Sequence, residues 1–187
     1  MQRCVQSSII CFFIMMLIPV STLAMSRIKD ADAVIILRNG NPCFSYPQDE
    51  EIRKRPYSFA RLSVSKNTGG GMWDIGIASS DREGLLEPNS PDTCIEYGRI
   101  HPGTEVLDPA KSLQLNTPYH VIIRVTEPPG ERFSYKRLYY SNFCIVHNEK
   151  GELMLVGVSF NSNSGWRCLK PGESSERGFW DRLFGQQ

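Results

Sequence analysis

The chain has 187 residues, 41% hydrophobic and 22% charged, with 21 basic against 20 acidic side chains. That is globular composition with room for one domain, and it excludes a disordered tail protein. Balanced charge also excludes a protein built chiefly to hold nucleic acid or an anionic membrane surface, because both need a concentrated cationic field.

Residues 1–24 differ from everything after them. Arg3 supplies a positive charge, residues 9–18 form an almost unbroken apolar run, and Ser21-Thr22-Leu23-Ala24 offers small residues before a cleavage point. This is the layout of a signal peptide cut after Ala24, and the apolar run is shorter than the ~20 residues a bilayer span needs. No stable membrane insertion is expected once it is removed. Cys4 and Cys11 stand before or within the run and leave with it. Residues 25–175 are then expected to form a single domain and residues 176–187 a tail. Processing removes one arginine and no acid, so the mature chain is formally neutral.

It keeps Cys43, Cys94, Cys144 and Cys168, an even number that in an exported chain predicts two disulfides. Three pairings are possible. The expected one joins Cys43 to Cys94 and Cys144 to Cys168, because both members of each pair lie in or beside strand-like segments that adjacent strands can bring together. Closing those two loops stabilises by about 4 and 3.5 kcal/mol in the chain-entropy model. No two cysteines show the close spacing of a zinc site, and no cofactor is expected.

From residue 33 onward, short segments rich in β-branched and aromatic residues alternate with turn clusters, and helical periodicity is nearly absent. Strands are predicted over 33–37, 43–46, 58–65, 73–78, 93–97, 119–126, 132–146, 153–160 and 166–169. Asn39-Gly40 marks a tight hairpin, Gly69-Gly70-Gly71 a flexible tip, and Pro128-Pro129-Gly130 a block to strand continuation. Asn148-Glu149-Lys150-Gly151 reads as a four-residue hairpin loop. Asp49-Glu50-Glu51 before Arg53-Lys54-Arg55 reads as a solvated charge run. Segment 85–111 combines charges and prolines with few apolar residues, which predicts a long connection clipped down at Cys94.

Within 119–126, Tyr119, Val121, Ile123 and Val125 share one side, while Ile122 on the other predicts partial cover there. Ser58, Ala60, Leu62 and Val64 alternate less cleanly. About nine short strands without intervening helices predict an all-β fold, an immunoglobulin-like antiparallel β-sandwich clipped by disulfides; a barrel is the alternative. In the tail, Phe179, Trp180, Leu183 and Phe184 fall at helix-like spacing, which predicts a short capping helix or a frayed end.

Catalysis would need a base, and His101, His120 and His147 are the candidates. None stands in a G-x-S-x-G, H-E-x-x-H or G-x-x-x-x-G-K-[ST] context. Asp81, Glu83 and Glu87 lack the rest of a calcium loop. A non-catalytic protein is the expectation.

The strongest binding signal is Phe133-Ser-Tyr-Lys-Arg-Leu-Tyr-Tyr-Ser-Asn-Phe143. Alternation puts Phe133, Tyr135, Arg137, Tyr139 and Phe143 on one side and Lys136, Leu138, Tyr140 and Cys144 on the other. Tyrosine, phenylalanine and arginine dominate protein interface hot spots, so Phe133, Tyr135, Arg137, Tyr139 and Tyr140 are the candidate partner-binding residues. The competing reading assigns one side of this row to the sandwich core.

Asn39-Gly40-Asn41-Pro42-Cys43, Cys94, Pro102-Gly103, the strand from Tyr119 to Val125, and the Tyr139-Tyr140 pair before Cys144 together resemble small bacterial periplasmic immunity lipoproteins of type VI secretion. The likeness spans most of residues 33–146, and it implies a protein that binds and neutralises an incoming toxin. A lipid-acceptor cysteine is missing here, which implies a soluble periplasmic form. An envelope-assembly protein that pairs a strand edge with a subunit, and a cell-wall enzyme, are the alternatives.

Overall fold

The computed structural model describes residues 30–54, 57–78, 87–126 and 135–173. The expected leader, the 128–130 turn and the 176–187 tail lie outside the described residues.

Apolar alternation is resolved into twelve strands and one short helix among the described residues. The first are β1 (Ala31–Asp32), β2 (Val34–Arg38), β3 (Asn41–Ser45), α1 (Glu50–Lys54), β4 (Ser58–Lys66) and β5 (Gly71–Ile77). There follow β6 (Ile95–Glu96), β7 (Thr104–Asp108), β8 (Tyr119–Thr126) and β9 (Tyr135–His147). The last three are β10 (Leu153–Val156), β11 (Val158–Asn161) and β12 (Gly165–Cys168). A seven-stranded sheet runs β1-β9-β8-β4-β5-β7, with β10 added along the second half of β9. A three-stranded sheet, β2-β3-β6, covers it, and β11-β12 stands as a separate hairpin. All pairings are antiparallel except β1 with β9.

The two larger sheets share one apolar layer. Tyr119, Val121, Ile123 and Val125 of β8 are fully buried, as the sequence periodicity predicts, and meet Phe59, Leu62, Val64, Trp73 and Ile75 from β4 and β5. Phe44 and Ile95 close the layer from the smaller sheet, with the Phe44 and Phe143 rings 5.6 Å apart. Each such side chain contributes about 1.5–3 kcal/mol by leaving water. The irregular alternation of the 58–64 segment has a cause: the register between β4 and β8 shifts between Phe59 and Arg61. The extra residue reverses parity, so Phe59 and Leu62 both point inward and Ser58 and Ala60 do not.

Ala33 is where the chain changes sheets, from β1 in the large one to β2 in the small one. The crossing is fixed by the Ala33 N–H donating to the Tyr140 carbonyl (3.1 Å) and the Ser141 hydroxyl donating to the Ala33 carbonyl (2.7 Å). Asn39 and Gly40 both take positive φ, 52° and 80°, which the two-residue turn between β2 and β3 requires.

Both expected disulfides are present, with Cα separations of 5.4 Å for Cys43–Cys94 and 5.7 Å for Cys144–Cys168. Such bonds are the mark of an oxidising, exported environment. No helix among the described residues is long and apolar enough to cross a membrane.

Two expectations are corrected. The 85–111 connection holds, besides β6 at the expected 93–97 strand, an unforeseen β7, because pairing with β5 imposes extended structure on that sequence. The charge run at 49–55 is not merely solvated. Asp49 caps α1, its Oδ1 accepting the Ile52 N–H at 3.0 Å, and it also holds a buried arginine.

Candidate partner-binding surface

The aromatic row of β9 divides between interior and surface. Arg137 is 6% exposed and Tyr139 wholly buried, so these two are corrected from partner-binding residues to interior ones. Arg137 forks onto Asp49, Nη1 to Oδ1 at 2.9 Å and Nη2 to Oδ2 at 2.5 Å, and its guanidinium lies 5.0 Å from the centre of the Tyr139 ring. Tyr139 stacks on Tyr46 with centroids 5.0 Å apart, and the Tyr46 hydroxyl donates to Glu87 Oε2 at 2.8 Å. Glu87 also accepts the Phe59 N–H. Burial, reinforced by the Glu87 carboxylate, pushes the Tyr46 phenol far above its ordinary range. Charge and aromatic surface are thus used to tie α1, β3, β4 and β9 together.

Of the remaining row, Tyr140 is 45% exposed on the outer face of β9, beside Ile122 of β8, which is half-covered as predicted. Tyr135 begins β9, and its side chain is outside the description. Phe133 lies outside the described residues.

Among the described residues, the most exposed aromatic pair belongs to a different element. In the β11-β12 hairpin, Phe160 pairs with Trp166 in register, their ring centroids 4.8 Å apart and tilted by 55°. They are 59% and 38% exposed. The base of the hairpin is anchored three ways. Cys168, opposite Val158, is bonded to Cys144 of β9. Leu169 is buried, and its N–H donates to the Gly157 carbonyl at 2.9 Å. Gly157 leaves room for that packing, since a Cβ there would stand 3.1 Å from the Leu169 side chain. At the far end, Asn161 Oδ1 accepts the Asn163 N–H (2.8 Å) and Gly165 takes φ 74°, closing the turn.

On the opposite face of β12, Arg167 forks onto Glu173 at 2.6 and 3.2 Å, and the Lys170 N–H donates to the same carboxylate at 2.9 Å. Those hydrogen bonds, Arg167 first, hold the Glu173 carboxyl down at about 2. The hairpin therefore presents two large rigid rings from a braced support, the arrangement that yields interface anchors. Its sequence signal was available: Phe160 and Trp166 flank Asn-Ser-Asn-Ser-Gly, and aromatic residues beside a polar turn sit at a hairpin's tip, beyond the core.

A cleft of about 230 Å³ opens among Pro42, Tyr97, Leu113, Leu115, Ile145 and Leu153. The Tyr97 hydroxyl fixes one wall, lying 2.7 Å from the Lys111 carbonyl and 3.0 Å from that of Met72, and burial raises its pKa to about 12.

The histidines stand apart from one another. His101 sits in the turn before β7, its N–H and carbonyl both bonded to the Thr104 hydroxyl. His147 ends β9 in solvent. His120 Nδ1 lies 2.9 Å from the Ser65 hydroxyl across β4 and β8. A hydroxyl beside an imidazole is the start of a nucleophilic pair, but among the described residues no carboxylate bonds the ring to orient it.

No family model, curated protein or solved structure matches the chain.

Proposed function

We propose that this is an exported, periplasmic, immunoglobulin-like domain that works by binding a protein partner and carries out no reaction of its own. The observation that carries this reading is the Phe160–Trp166 pair, exposed on a hairpin that a disulfide, a buried leucine and an ion pair hold in place. A preformed aromatic surface loses little conformational freedom on binding, so more of the contact energy appears as affinity. The resemblance to type VI secretion immunity proteins supplies the partner class, a toxin that is occluded rather than processed.

The test is direct binding between the purified protein and the product of a neighbouring toxin gene, followed by inhibition of that toxin. Trp166→Ala and Phe160→Ala together are expected to weaken binding by about 30-fold or more while leaving the melting temperature nearly unchanged. A double variant that binds and protects like the parent rejects the hairpin as the contact surface. Absence of binding to every neighbouring toxin rejects the immunity role.

A further inference from the structure

β7 ends the large sheet and, among the described residues, pairs only with β5. Val106 and Leu107 are exposed, as is Ile100 before it, and the register to β5 shifts between Ile75 and Asp74, which makes Leu107 an extra residue and confines the regular edge to Thr104–Val106. The direction of its backbone groups follows from the ladder. The Ala78 N–H donates to the Gly103 carbonyl at 3.0 Å, so that pair is a hydrogen-bonded one. Antiparallel pairs alternate, so Glu105 bonds toward Gly76 of β5, whereas Thr104 and Val106 turn their N–H and carbonyl groups outward. The Thr104 N–H is already given to the His101 carbonyl at 3.1 Å, leaving Val106 to offer both of its groups. Unpaired edge groups flanked by apolar side chains are a template for another strand.

The charges of Thr-Glu-Val-Leu-Asp decide which strand fits. Laid antiparallel on a second copy about Val106, the strand places Val106 opposite itself and Glu105 opposite the extra residue Leu107, so Val106 makes the reciprocal pair of backbone bonds. Acid never faces acid, and the outward groups of Val106 meet their equals. Outward residues can only meet outward residues, so the nearest alternatives are slips that change the pairing sum by two. One brings Glu105 opposite its own copy; the other sets Val106 against Asp108, which beyond the extra residue is paired toward β5.

We propose that β7 pairs with β7 of a second copy about Val106, joining two large sheets across a twofold axis. This goes beyond the partner-binding reading and uses a different place. The β11-β12 hairpin is anchored to β9, near the other end of the sheet order, so a dimer presents it twice.

Sedimentation of the full exported chain is expected to move from monomer to dimer as concentration rises through the range of about 1 to 200 μM, the weak regime typical of small interfaces. Val106→Pro removes only an outward donor, spares the bonds to β5, and is expected to weaken the dimer at least tenfold. Val106→Lys, which sets two ammonium groups against each other across the axis, is expected to do the same and decides the matter should the proline variant fail to fold. A chain that stays monomeric throughout, or a dimer indifferent to both substitutions, overturns the proposal.

Discussion

Arg137 shows how surroundings override residue type. Arginine beside tyrosine reads as interface in a sequence, because both are common there, yet here the fork onto Asp49 and the face of Tyr139 make burial tolerable. Arg137→Met is expected to cost about 2–4 kcal/mol in urea unfolding, since it removes the two-pronged contact to the Asp49 carboxylate and the charge over the Tyr139 ring. The half-buried histidines give a pH signature. Burial lowers the pKa of His120 below 6.5, and burial followed by the Arg99 charge does so for His101, so the unfolded chain takes protons first. Stability is therefore expected to be level above pH ~7, to fall as pH drops below about 6.5, and to level again beneath the lowered folded values. His120→Gln is expected to flatten that slope when urea midpoints at pH 7.5 and 5 are compared. At this scale the sequence revealed which residues could anchor a partner, but not which stood outside, because Trp166 and Tyr139 differ only in what packs over them.

Among elements, those governed by local chemistry were legible. Asn39-Gly40 demands its turn, and the strict alternation from Tyr119 to Val125 demands a strand with one buried side. Elements made by their neighbours were not: β7 is polar sequence drawn straight by β5, and Gly157 divides what reads as one strand, 153–160, into β10 and β11. The β11-β12 hairpin depends on its anchors more than on its own pairing, since two strands alone are marginal. Replacing Cys144 and Cys168 together by alanine is expected to remove about 3 kcal/mol of stability. The loss is expected to appear first as faster hydrogen exchange at the Leu169 amide, with the Cys43–Cys94 region protected. The same variant is expected to bind its partner more weakly, because the rings lose their fixed support.

For the molecule as a whole, composition and cysteine placement sufficed to predict an all-β, twice-stapled architecture, and the pairing of all four cysteines followed from where the strands fell. The distribution of strands did not follow. Seven lie in one sheet and three in the other, so the larger sheet has an outer face and an open flank that alternation alone cannot reveal. A sequence pattern tells that a ribbon has two sides; it does not tell how much of each the rest of the chain will cover.

The parallel seam between β1 and β9 joins Ala31 to Tyr139, and the next residues after β1 go on to begin the opposing sheet. A polypeptide emerging from its N-terminal end must hold β1 idle until Tyr139 and Tyr140, more than a hundred residues later, have appeared. A seam of such long range carries the full entropy of closing the intervening loop, which makes it a slow contact to form.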